Sequence, residues 1–391
     1  MSLNNTPSSE RIHIGFFGIR NAGKSSLVNR ITNQEVSVVS SVKGTTTDAI
    51  KKSMELLPLG PVEIIDTPGF DDFGELGEKR VLSTKKILSS CDIAVLVVEG
   101  NNELNKTEKE LIRIFKQRNV PFIIARNKSD LLSDYESSAN EIFVSAKENE
   151  GIEELKKAIS STLGNTKKEI RLVGDFIKEK DIVVLVTPID ESAPKGRMIL
   201  PQQQAIRDII DSNGVCIVVQ PEQLEYTLKA VKPALVITDS QVFKKVMNIV
   251  PESIPLTSFS ILLARYKGFL KTAVEGAKEI ENLKNGAKIL ISEGCTHHRQ
   301  CEDIGTVKLP KWLESYTGKK FKYEFTSGHG FPEDLSDYDF ILHCGGCMLG
   351  DKEMLYRMNM AINQNIPFTN YGTAIAYINK ILERSIEIID K

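Results

Sequence analysis

The 391-residue sequence has no apolar run that approaches the roughly 20 residues needed to span a bilayer, so we expect no membrane contact. It also lacks an excess of either charge, because 50 Lys and Arg residues against 52 Asp and Glu residues leave a formal net charge of −2. That balance argues against a large surface for nucleic-acid phosphates, and we expect no nucleic-acid partner. The amino terminus has no basic start followed by an apolar stretch, so we expect a cytoplasmic protein without a secretory signal.

Cysteine is scarce, and its distribution is uneven. Of the six cysteines, four lie in the last third of the chain. A cytosolic location keeps thiols reduced, so clustering of this kind indicates metal or redox chemistry more than disulfide bonds. The cysteines are Cys91, Cys216, Cys295, Cys301, Cys344 and Cys347.

Apolar content of 41% and charged content of 26% are ordinary for a globular protein, and the length predicts two or three domains. Up to about residue 170, apolar runs alternate with helical patterns. The predicted strands are IHIGFFG, VEIID, DIAVLVV, VPFIIAR and EIFVSA. Runs such as Ile93–Val98 are apolar without alternation, as in strands covered on both faces, so we expect an α/β fold with a mostly parallel sheet.

Two further α/β stretches follow a polar linker at residues 164–171. Residues 171–257 hold the predicted strands IVVLVTP, VCIVVQ and ALVIT but no phosphate loop, which suggests an assembly role, namely dimerisation. Residues 258–391 open with helical sequence and continue with the strands KILISEG, KFKYEFT, DFILHC and IPFTNYG. Cys295 and Cys344 fall where two of these strands end, the edge of an open sheet at which ligands bind.

Residues 18–25 read GIRNAGKS, which fits the G-x-x-x-x-G-K-S phosphate loop. Because the motif follows a predicted strand and opens a predicted helix, its backbone amides and the helix amino terminus can face phosphate oxygens. Lys24 is predicted to reach the β- and γ-phosphates, and Ser25 is predicted to bind Mg²⁺.

Four further motifs follow in the order that a GTP-binding protein needs. GTTTD at residues 44–48 lies where a switch loop belongs, and DTPG at residues 66–69 ends an apolar strand. Asp66 is predicted to hold the Mg²⁺ shell, and the Gly69 amide to contact the γ-phosphate. NKSD at residues 127–130 places a carboxylate that accepts two hydrogen bonds from guanine but not from adenine, and SAK at residues 145–147 supports the guanine O6.

This set of motifs resembles the translation-factor-related GTPases of the Era/TrmE type over about residues 11–163. In that group the switch usually reads G-T-T-R-D, whereas Thr47 replaces the arginine here. Thr46 aligns as the Mg²⁺- and γ-phosphate-sensing residue, with Thr45 as a near alternative. Phe70 follows DTPG where Ras-like proteins carry a water-orienting glutamine, so hydrolysis is expected to be slow or to need help from another group. Asn21 stands where relatives bind K⁺ beside the phosphates, so K⁺ stimulation is expected.

The predicted site residues of this domain form two sets. The predicted catalytic residues are Lys24, Thr46, Asp66 and Gly69, of which Thr46 and Asp66 also bind Mg²⁺ together with Ser25. The predicted nucleotide contacts are Gly18, Asn21, Gly23, Lys24, Ser25, Ser26, Asp66, Asn127, Lys128, Asp130, Ser145, Ala146 and Lys147.

A second constellation lies in the last third, as Cys295-Thr-His297 and His343-Cys344-Gly-Gly-Cys347. Thiolates are soft ligands that suit both iron–sulfur clusters and Zn²⁺. A structural zinc could take the three cysteines and one histidine, and C-x-x-C alone also suits a redox dithiol. The residue chemistry leaves these alternatives open.

The combination of a GTPase module, a middle α/β module and a C-x-H…H-C-x-x-C module resembles the HydF family of [FeFe]-hydrogenase maturation GTPases over nearly the whole chain. That resemblance implies a P-loop GTPase domain at residues 1–170, a dimerisation domain at 171–257 and a cluster-binding domain at 258–391. It implies a [4Fe–4S] cluster on Cys295, Cys344 and Cys347, with His297 and His343 as candidates for an exchangeable fourth iron site.

The same resemblance implies a homodimeric scaffold that accepts a diiron precursor from radical-SAM maturases and delivers it to apo-[FeFe]-hydrogenase. Two alternatives come from other classes. One is an RNA- or ribosome-associated GTPase with a structural zinc in its tail, and the other is a redox-sensing GTPase that responds to loss of the cluster.

Overall fold

The apolar runs without alternation form the central strands of three sheets. In the computed structural model, which describes residues 6–32, 49–69, 87–100, 102–138, 140–164, 170–189, 198–295, 304–328 and 330–389, the chain divides into two units. The first is Met1–Lys167 and the second is Lys168–Lys391. No helix in the described ranges is long and apolar enough to cross a membrane.

The first unit is built on one six-stranded sheet. Its strands are β1 (Ile12–Phe17), β2 (Ile50–Leu56), β3 (Gly60–Asp66), β4 (Ile93–Glu99), β5 (Phe122–Asn127) and β6 (Glu141–Phe143). Its helices are α1 (Lys24–Thr32), α2 (Lys106–Gln117) and α3 (Ile152–Leu163). The strand order is β2-β3-β1-β4-β5-β6, and every neighbouring pair is parallel except β2 with β3. The predicted mostly parallel α/β sheet is confirmed.

Strand β2 was not predicted from the sequence. It is the edge strand of the sheet and pairs antiparallel with β3, from Ile50 opposite Asp66 to Leu56 opposite Gly60. Because one side of an edge strand faces water, β2 carries exposed Lys51 and no continuous apolar run. Its pattern therefore lacked the signal that revealed the buried strands.

The second unit holds two four-stranded sheets, each wholly parallel. The middle sheet has the strands β7 (Ile182–Val186), β8 (Val215–Val219), β9 (Leu235–Thr238) and β10 (Leu256–Ser258), in the order β10-β9-β7-β8. The third sheet has β11 (Lys288–Glu293), β12 (Lys322–Ser327), β13 (Phe340–His343) and β14 (Phe368–Asn370), in the order β12-β11-β13-β14.

Nine helices are described in this unit. They are α4 (Leu200–Asp211), α5 (Leu224–Ala230), α6 (Phe243–Met247), α7 (Phe259–Tyr266), α8 (Leu270–Lys278), α9 (Leu309–Thr317), α10 (Asp351–Asn363), α11 (Tyr371–Ile378) and α12 (Leu382–Ile386). A π-helical turn, Ile304–Lys308, precedes α9.

The start of the predicted third stretch differs from the prediction. Ser258, expected to open the helical start of residues 258–391, is instead the last residue of the buried strand β10, which pairs with β9 in the middle sheet. Three buried residues directly before a helix are too few to show strand periodicity. At the same place the Thr257 hydroxyl donates to the Ser385 carbonyl at 2.7 Å, so the carboxyl-terminal helix α12 covers this edge of the middle sheet.

Candidate functional site

The phosphate-loop motif lies between β1 and α1, as its pattern predicts. Gly23 has φ +89°, and a Cβ there would lie 2.1 Å from the Asn127 side-chain nitrogen, so only glycine fits. The Lys24 ammonium donates to the carbonyl oxygens of Gly18 at 3.0 Å and Ile19 at 2.7 Å, inside the curl of the loop. Asn21 is exposed in the left-handed conformation at φ 65°. The Lys24 side chain and the backbone of the loop therefore lie together between β1 and α1.

Ser25 and Asp66 meet beside this loop. The Ser25 hydroxyl donates to Asp66 Oδ2 at 2.6 Å, whereas Asp66 Oδ1 is buried with no hydrogen-bond partner among the described residues. A buried carboxylate oxygen without a partner costs free energy unless a cation satisfies it, so this pair fits a Mg²⁺ site. Gly69 passes so close that a Cβ there would lie 2.9 Å from Arg20 Cα. DTPG thus lies against the phosphate loop.

The two base-recognition motifs converge on one corner of the same sheet. Asn127, the last residue of β5, donates from Nδ2 to the Ala22 carbonyl at 2.9 Å and accepts the Ala146 amide at 3.1 Å. The Ser145 hydroxyl donates to Asp130 Oδ1 at 2.6 Å. Lys128 has φ 65°, which turns the chain sharply out of the strand. Three motifs separated in sequence are therefore tied into one cradle.

Arg30 belongs to this cradle, although it was not predicted from the sequence. From the last turn of α1 it donates to the Ala146 carbonyl at 2.7 Å and to the Lys147 carbonyl at 3.2 Å. An arginine six residues after the phosphate-loop lysine carries no motif, so only the fold reveals that it positions the SAK loop.

The Arg30→Ala variant is expected to weaken binding of guanine nucleotides by up to about thirtyfold, because the loop loses two hydrogen bonds worth about 1 kcal/mol each. Titration of a fluorescent GDP analogue measures this. Arg113→Ala, which removes an exposed arginine of α2 paired with Glu110, is the matched control and should leave affinity unchanged. An affinity within twofold of the original for Arg30→Ala would show that the loop holds its position without Arg30.

Some predicted residues lie outside the described parts of the chain. They are Thr46 and the rest of the switch motif, Phe70, His297 and Cys301. Their predicted roles stay predictions.

The described cysteines of the second constellation lie at the carboxyl edge of the third sheet. Strands β11 and β13 are neighbours, with Ser292 opposite His343, so the chain leaves both strands at the same edge. Cys344 extends this pairing, since its amide donates to the Ser292 carbonyl at 2.8 Å. Cys295 follows β11 by two residues and is half-buried. Adjacent parallel strands thus bring together two segments separated by some fifty residues.

Backbone amides surround the Cys344 sulfur. Sγ accepts hydrogen bonds from the Gly294 amide at 3.0 Å and the Gly346 amide at 3.4 Å. Burial raises the pKa of Cys344 to about 11, and these two amides act in the opposite direction. Burial also raises the pKa of Cys347. Amide donors of this kind suit a thiolate ligand, although no three His, Cys, Asp or Glu side chains in the described ranges form a group that could hold a metal ion.

His343 is fully buried, and both of its ring nitrogens are engaged. Nδ1 contacts the Cys344 carbonyl at 2.8 Å and Nε2 contacts Arg357 Nη1 at 3.1 Å. Since a carbonyl only accepts and a guanidinium only donates, Nδ1 carries the proton and the Nε2 lone pair faces the arginine. Burial, and then the Arg357 charge, lower the pKa of His343 to about 3, so the imidazole is neutral. In this arrangement neither ring nitrogen of His343 has a lone pair free to bind a metal ion.

Three other charged groups near this edge were not predicted from the sequence. Glu293 is buried at the end of β11, close enough to Cys344 to raise the pKa of that thiol. Lys267 is buried and donates to the Leu349 carbonyl, and its charge lowers the pKa of Cys347. Arg357 is the third. A glutamate that ends a buried apolar strand two residues before Cys295 was a usable signal. Lys267 directly follows α7 and Arg357 lies within α10, and neither belongs to a motif.

Three family models match consecutive parts of this chain. The model described as 50S ribosome-binding GTPase matches residues 13–128. The hydrogen maturase F dimerization domain matches residues 172–268, and the hydrogen maturase F tetramerization domain matches residues 271–388.

Individual relatives match part of this chain. The tRNA modification GTPase MnmE of Desulfotalea psychrophila is 33% identical over 154 residues, covering 36% of this chain and 32% of its own length. The GTPase Der of Mycoplasmopsis pulmonis is 29% identical over 200 residues, covering 45% of this chain and 46% of its own. This chain therefore spans only a third to a half of these relatives. Among solved structures, the G domain of the T. maritima FeoB iron transporter matches with 21% identity and a TM-score of 0.32, over 39% of this chain and 99% of that one.

Proposed function

Since this chain belongs to the hydrogen maturase F (HydF) family of GTPases, we propose that it is a GTP-hydrolysing scaffold for assembly of the diiron subcluster of [FeFe]-hydrogenase. It would hold a [4Fe–4S] cluster, accept the diiron precursor and deliver it to the apo-enzyme. The observation that carries the proposal is the succession of a GTPase domain and two hydrogen maturase F domains along one chain.

The first unit would bind GTP with Mg²⁺ across the carboxyl ends of β1, β3 and β5. Lys24 would neutralise the β- and γ-phosphates, and Ser25 with Asp66 would hold Mg²⁺. The Asp66 Oδ1 atom, which has no hydrogen-bond partner within the described ranges, suits this role. Asp130 would accept the two N–H donors of guanine. The Ser145 hydroxyl supports this role, because it already orients the Asp130 carboxylate.

Hydrolysis is proposed to be slow and stimulated by K⁺. Phe70 cannot orient a water molecule, and Asn21, with its side chain exposed on the phosphate loop, could add an oxygen ligand for a monovalent cation. Thr46 would close on Mg²⁺ and the γ-phosphate, and the Gly69 amide would sense the same phosphate.

At the other site, Cys295, Cys344 and Cys347 would hold the cluster, and the cluster supplies soft iron sites to which a further iron fragment can attach. The Gly294 and Gly346 amides would stabilise the Cys344 thiolate, and Lys267 and Arg357 would offset the added negative charge.

The fourth iron ligand is proposed to be exchangeable. His343 could bind only after releasing Arg357 or the Cys344 carbonyl, so His297 and Glu293 become the better candidates. A carboxylate is a hard ligand that binds iron less firmly than a thiolate, which suits a site that must open to accept cargo.

The proposed partners are radical-SAM maturases, apo-[FeFe]-hydrogenase and further copies of this chain, in a reducing cytoplasm. The two hydrogen maturase F domains support self-association, because their descriptions name dimerization and tetramerization.

Anaerobic reconstitution with iron and sulfide, followed by electron paramagnetic resonance of the reduced protein, tests the cluster. The unmodified chain is expected to give a [4Fe–4S] signal that Cys344→Ala abolishes. Cys216→Ala, which changes a half-buried thiol on β8 of the middle sheet, is the matched control and should retain the signal.

Two results would contradict the proposal. If the unmodified chain retained only zinc, an RNA- or ribosome-associated GTPase with a structural zinc would be the better account. If the cluster formed and its removal changed GTP turnover without any transfer of iron to the apo-hydrogenase, the redox-sensing alternative would replace the scaffold.

A further inference from the structure

Lys267 is a buried charged residue that the middle domain contributes to the cysteine edge of the third sheet. It lies within residues 172–268, which match the hydrogen maturase F dimerization domain. Its ammonium donates to the carbonyl of Leu349, two residues after Cys347. The same ammonium lies 3.5 Å from Asp351 Oδ1 at the start of α10, and only 3% of the Lys267 side chain is exposed. Lys267 therefore holds the segment that directly follows the C-x-x-C motif.

The end of α7 fixes the position of Lys267. The Lys267 amide donates to the Leu263 carbonyl at 2.9 Å, so this residue continues the last helical turn. Gly268 then has φ +82°, and the Phe269 amide donates back to the Ala264 carbonyl at 3.0 Å, which closes the helix end. The helix dipole favours a cation at this carboxyl end. The lysine is thus placed by the regular geometry of a helix terminus.

Apolar packing joins α7 to the same segment. Cys347 packs against a hydrophobic core that includes buried leucines of α7. Leu349 lies so close to Gly294 that a Cβ there would be 2.7 Å from Leu349 Cγ, and the Gly294 amide donates to Cys344 Sγ. The residue that Lys267 holds is therefore in contact with both segments that form the cysteine edge.

The charge of Lys267 acts on its surroundings with little screening, because a buried ammonium keeps a stronger field than one in water. Burial raises the pKa of Cys347, and the Lys267 charge acts in the opposite direction. Arg357, also buried at this edge, has buried Glu353 at 2.9 Å. The Asp351 carboxylate beside Lys267 is further away, at 3.5 Å, and a quarter exposed, so it offsets less of the lysine charge.

An iron–sulfur cluster gains one negative charge when it takes up one electron. A nearby positive charge stabilises the reduced form more than the oxidised form, and net charge is one of the factors that set the reduction potential of such clusters. The Lys267 ammonium would therefore raise that potential, and the Asp351 carboxylate would lower it.

We propose that Lys267 is a positioning residue through which the middle domain sets the reduction potential of the cluster, because its ammonium both anchors the Leu349 carbonyl and stabilises the reduced form. The middle domain would then contribute to the chemistry of the cluster site as well as to self-association. This inference rests on the proposed cluster and adds a determinant of its potential that lies outside the cysteine motifs.

Potentiometric titration with dithionite as electron donor, followed by electron paramagnetic resonance, tests this on the full chain reconstituted with iron and sulfide. Lys267→Met removes the charge, so the ratio of reduced to oxidised cluster at a fixed potential is expected to fall about tenfold, a midpoint about 59 mV lower for one electron. Lys267→Arg keeps the charge and should stay within about threefold of the original ratio. Lys271→Met, which changes an exposed lysine on α8, is the matched control and should leave the ratio unchanged.

Asp351→Asn separates an electrostatic role from a structural one. Removal of this carboxylate should raise the ratio of reduced to oxidised cluster, the opposite direction from Lys267→Met. Loosening of the segment after Cys347 would instead move both variants in the same direction. Iron content is measured for every variant, and if Lys267→Met retained no iron, the direction of the shift in Asp351→Asn would decide.

A fall in Lys267→Met that Lys267→Arg does not share supports the proposal. An unchanged ratio in Lys267→Met, or a shift of Lys267→Met and Asp351→Asn in the same direction, would overturn it. If Lys267→Met held no iron, anything except a rise in Asp351→Asn would also overturn it. Absence of a cluster signal in the unmodified chain is a separate result, because it contradicts the proposed function itself.

Discussion

The Asp130→Asn variant is expected to lose affinity for GTP by a factor of about 10² or more and to prefer xanthosine triphosphate. Guanine offers two N–H donors to the Asp130 carboxylate, and an amide can accept only one of them while its NH₂ group faces the other donor. Xanthine carries an oxygen in place of the guanine amine, so the amide and the base become complementary again. A site that reads a base through paired hydrogen bonds discriminates strongly against a mismatched partner.

Isothermal titration with GTP, ATP and xanthosine triphosphate measures this change. Asp134→Asn is the matched control, because Asp134 is an exposed aspartate four residues further along the same loop. If Asp130→Asn bound GTP as well as before while the control behaved normally, the NKSD motif would not be reading the base. Ser145 offers an additional check, since its hydroxyl orients the Asp130 carboxylate at 2.6 Å.

The Arg357→Ala variant is expected to lower the free energy of unfolding of the second unit by about 3–5 kcal/mol, the cost of breaking a buried ion pair by removing one partner. The Arg357 side chain is fully buried and donates to Glu353 at 2.9 Å, to the Gly328 carbonyl at 2.7 Å and to His343 at 3.1 Å. Loss of Arg357 would leave the Glu353 carboxylate buried without this partner. It would also remove the Arg357 hydrogen bond to His343, next to Cys344 at the carboxyl edge of the third sheet.

Urea unfolding followed by tryptophan fluorescence is the measurement. Trp312 on α9 is the single tryptophan of the chain, so the signal reports on the second unit. Arg207→Ala is the matched control, because Arg207 and Asp211 form an i,i+4 pair on the exposed face of α4, and it should leave the transition unchanged. A loss below about 1 kcal/mol for Arg357→Ala would mean that water reaches this site. The double variant E353L/R357M should recover much of the stability, since apolar residues often replace a buried pair without loss.

Features that depend on residues close together in the chain could be predicted from the sequence, whereas features that depend on distant residues could not. The phosphate loop needs a strand, a glycine turn and a helix amino terminus within a dozen residues, so GIRNAGKS was recognisable on its own. Buried parallel strands are apolar on both faces, and those runs marked the sheets. Edge strand β2 and the three-residue strand β10 were not predicted, because neither carries such an apolar run.

The sequence by itself identified the first unit as a GTPase, because phosphate recognition depends on residue types at short spacings, whereas at the cysteines the residue chemistry left an iron–sulfur cluster, zinc and a redox dithiol as alternatives. Only the tertiary structure decided that Arg30 holds the SAK loop, that His343 is engaged by Arg357, and that Glu293 and Lys267 are buried near the cysteines. Burial and pairing are set by residues tens to hundreds of positions away in the chain, so no local pattern carries them. The close approach of separated segments also brings buried charges next to the cysteines, and those charges shift the pKa values of neighbouring groups.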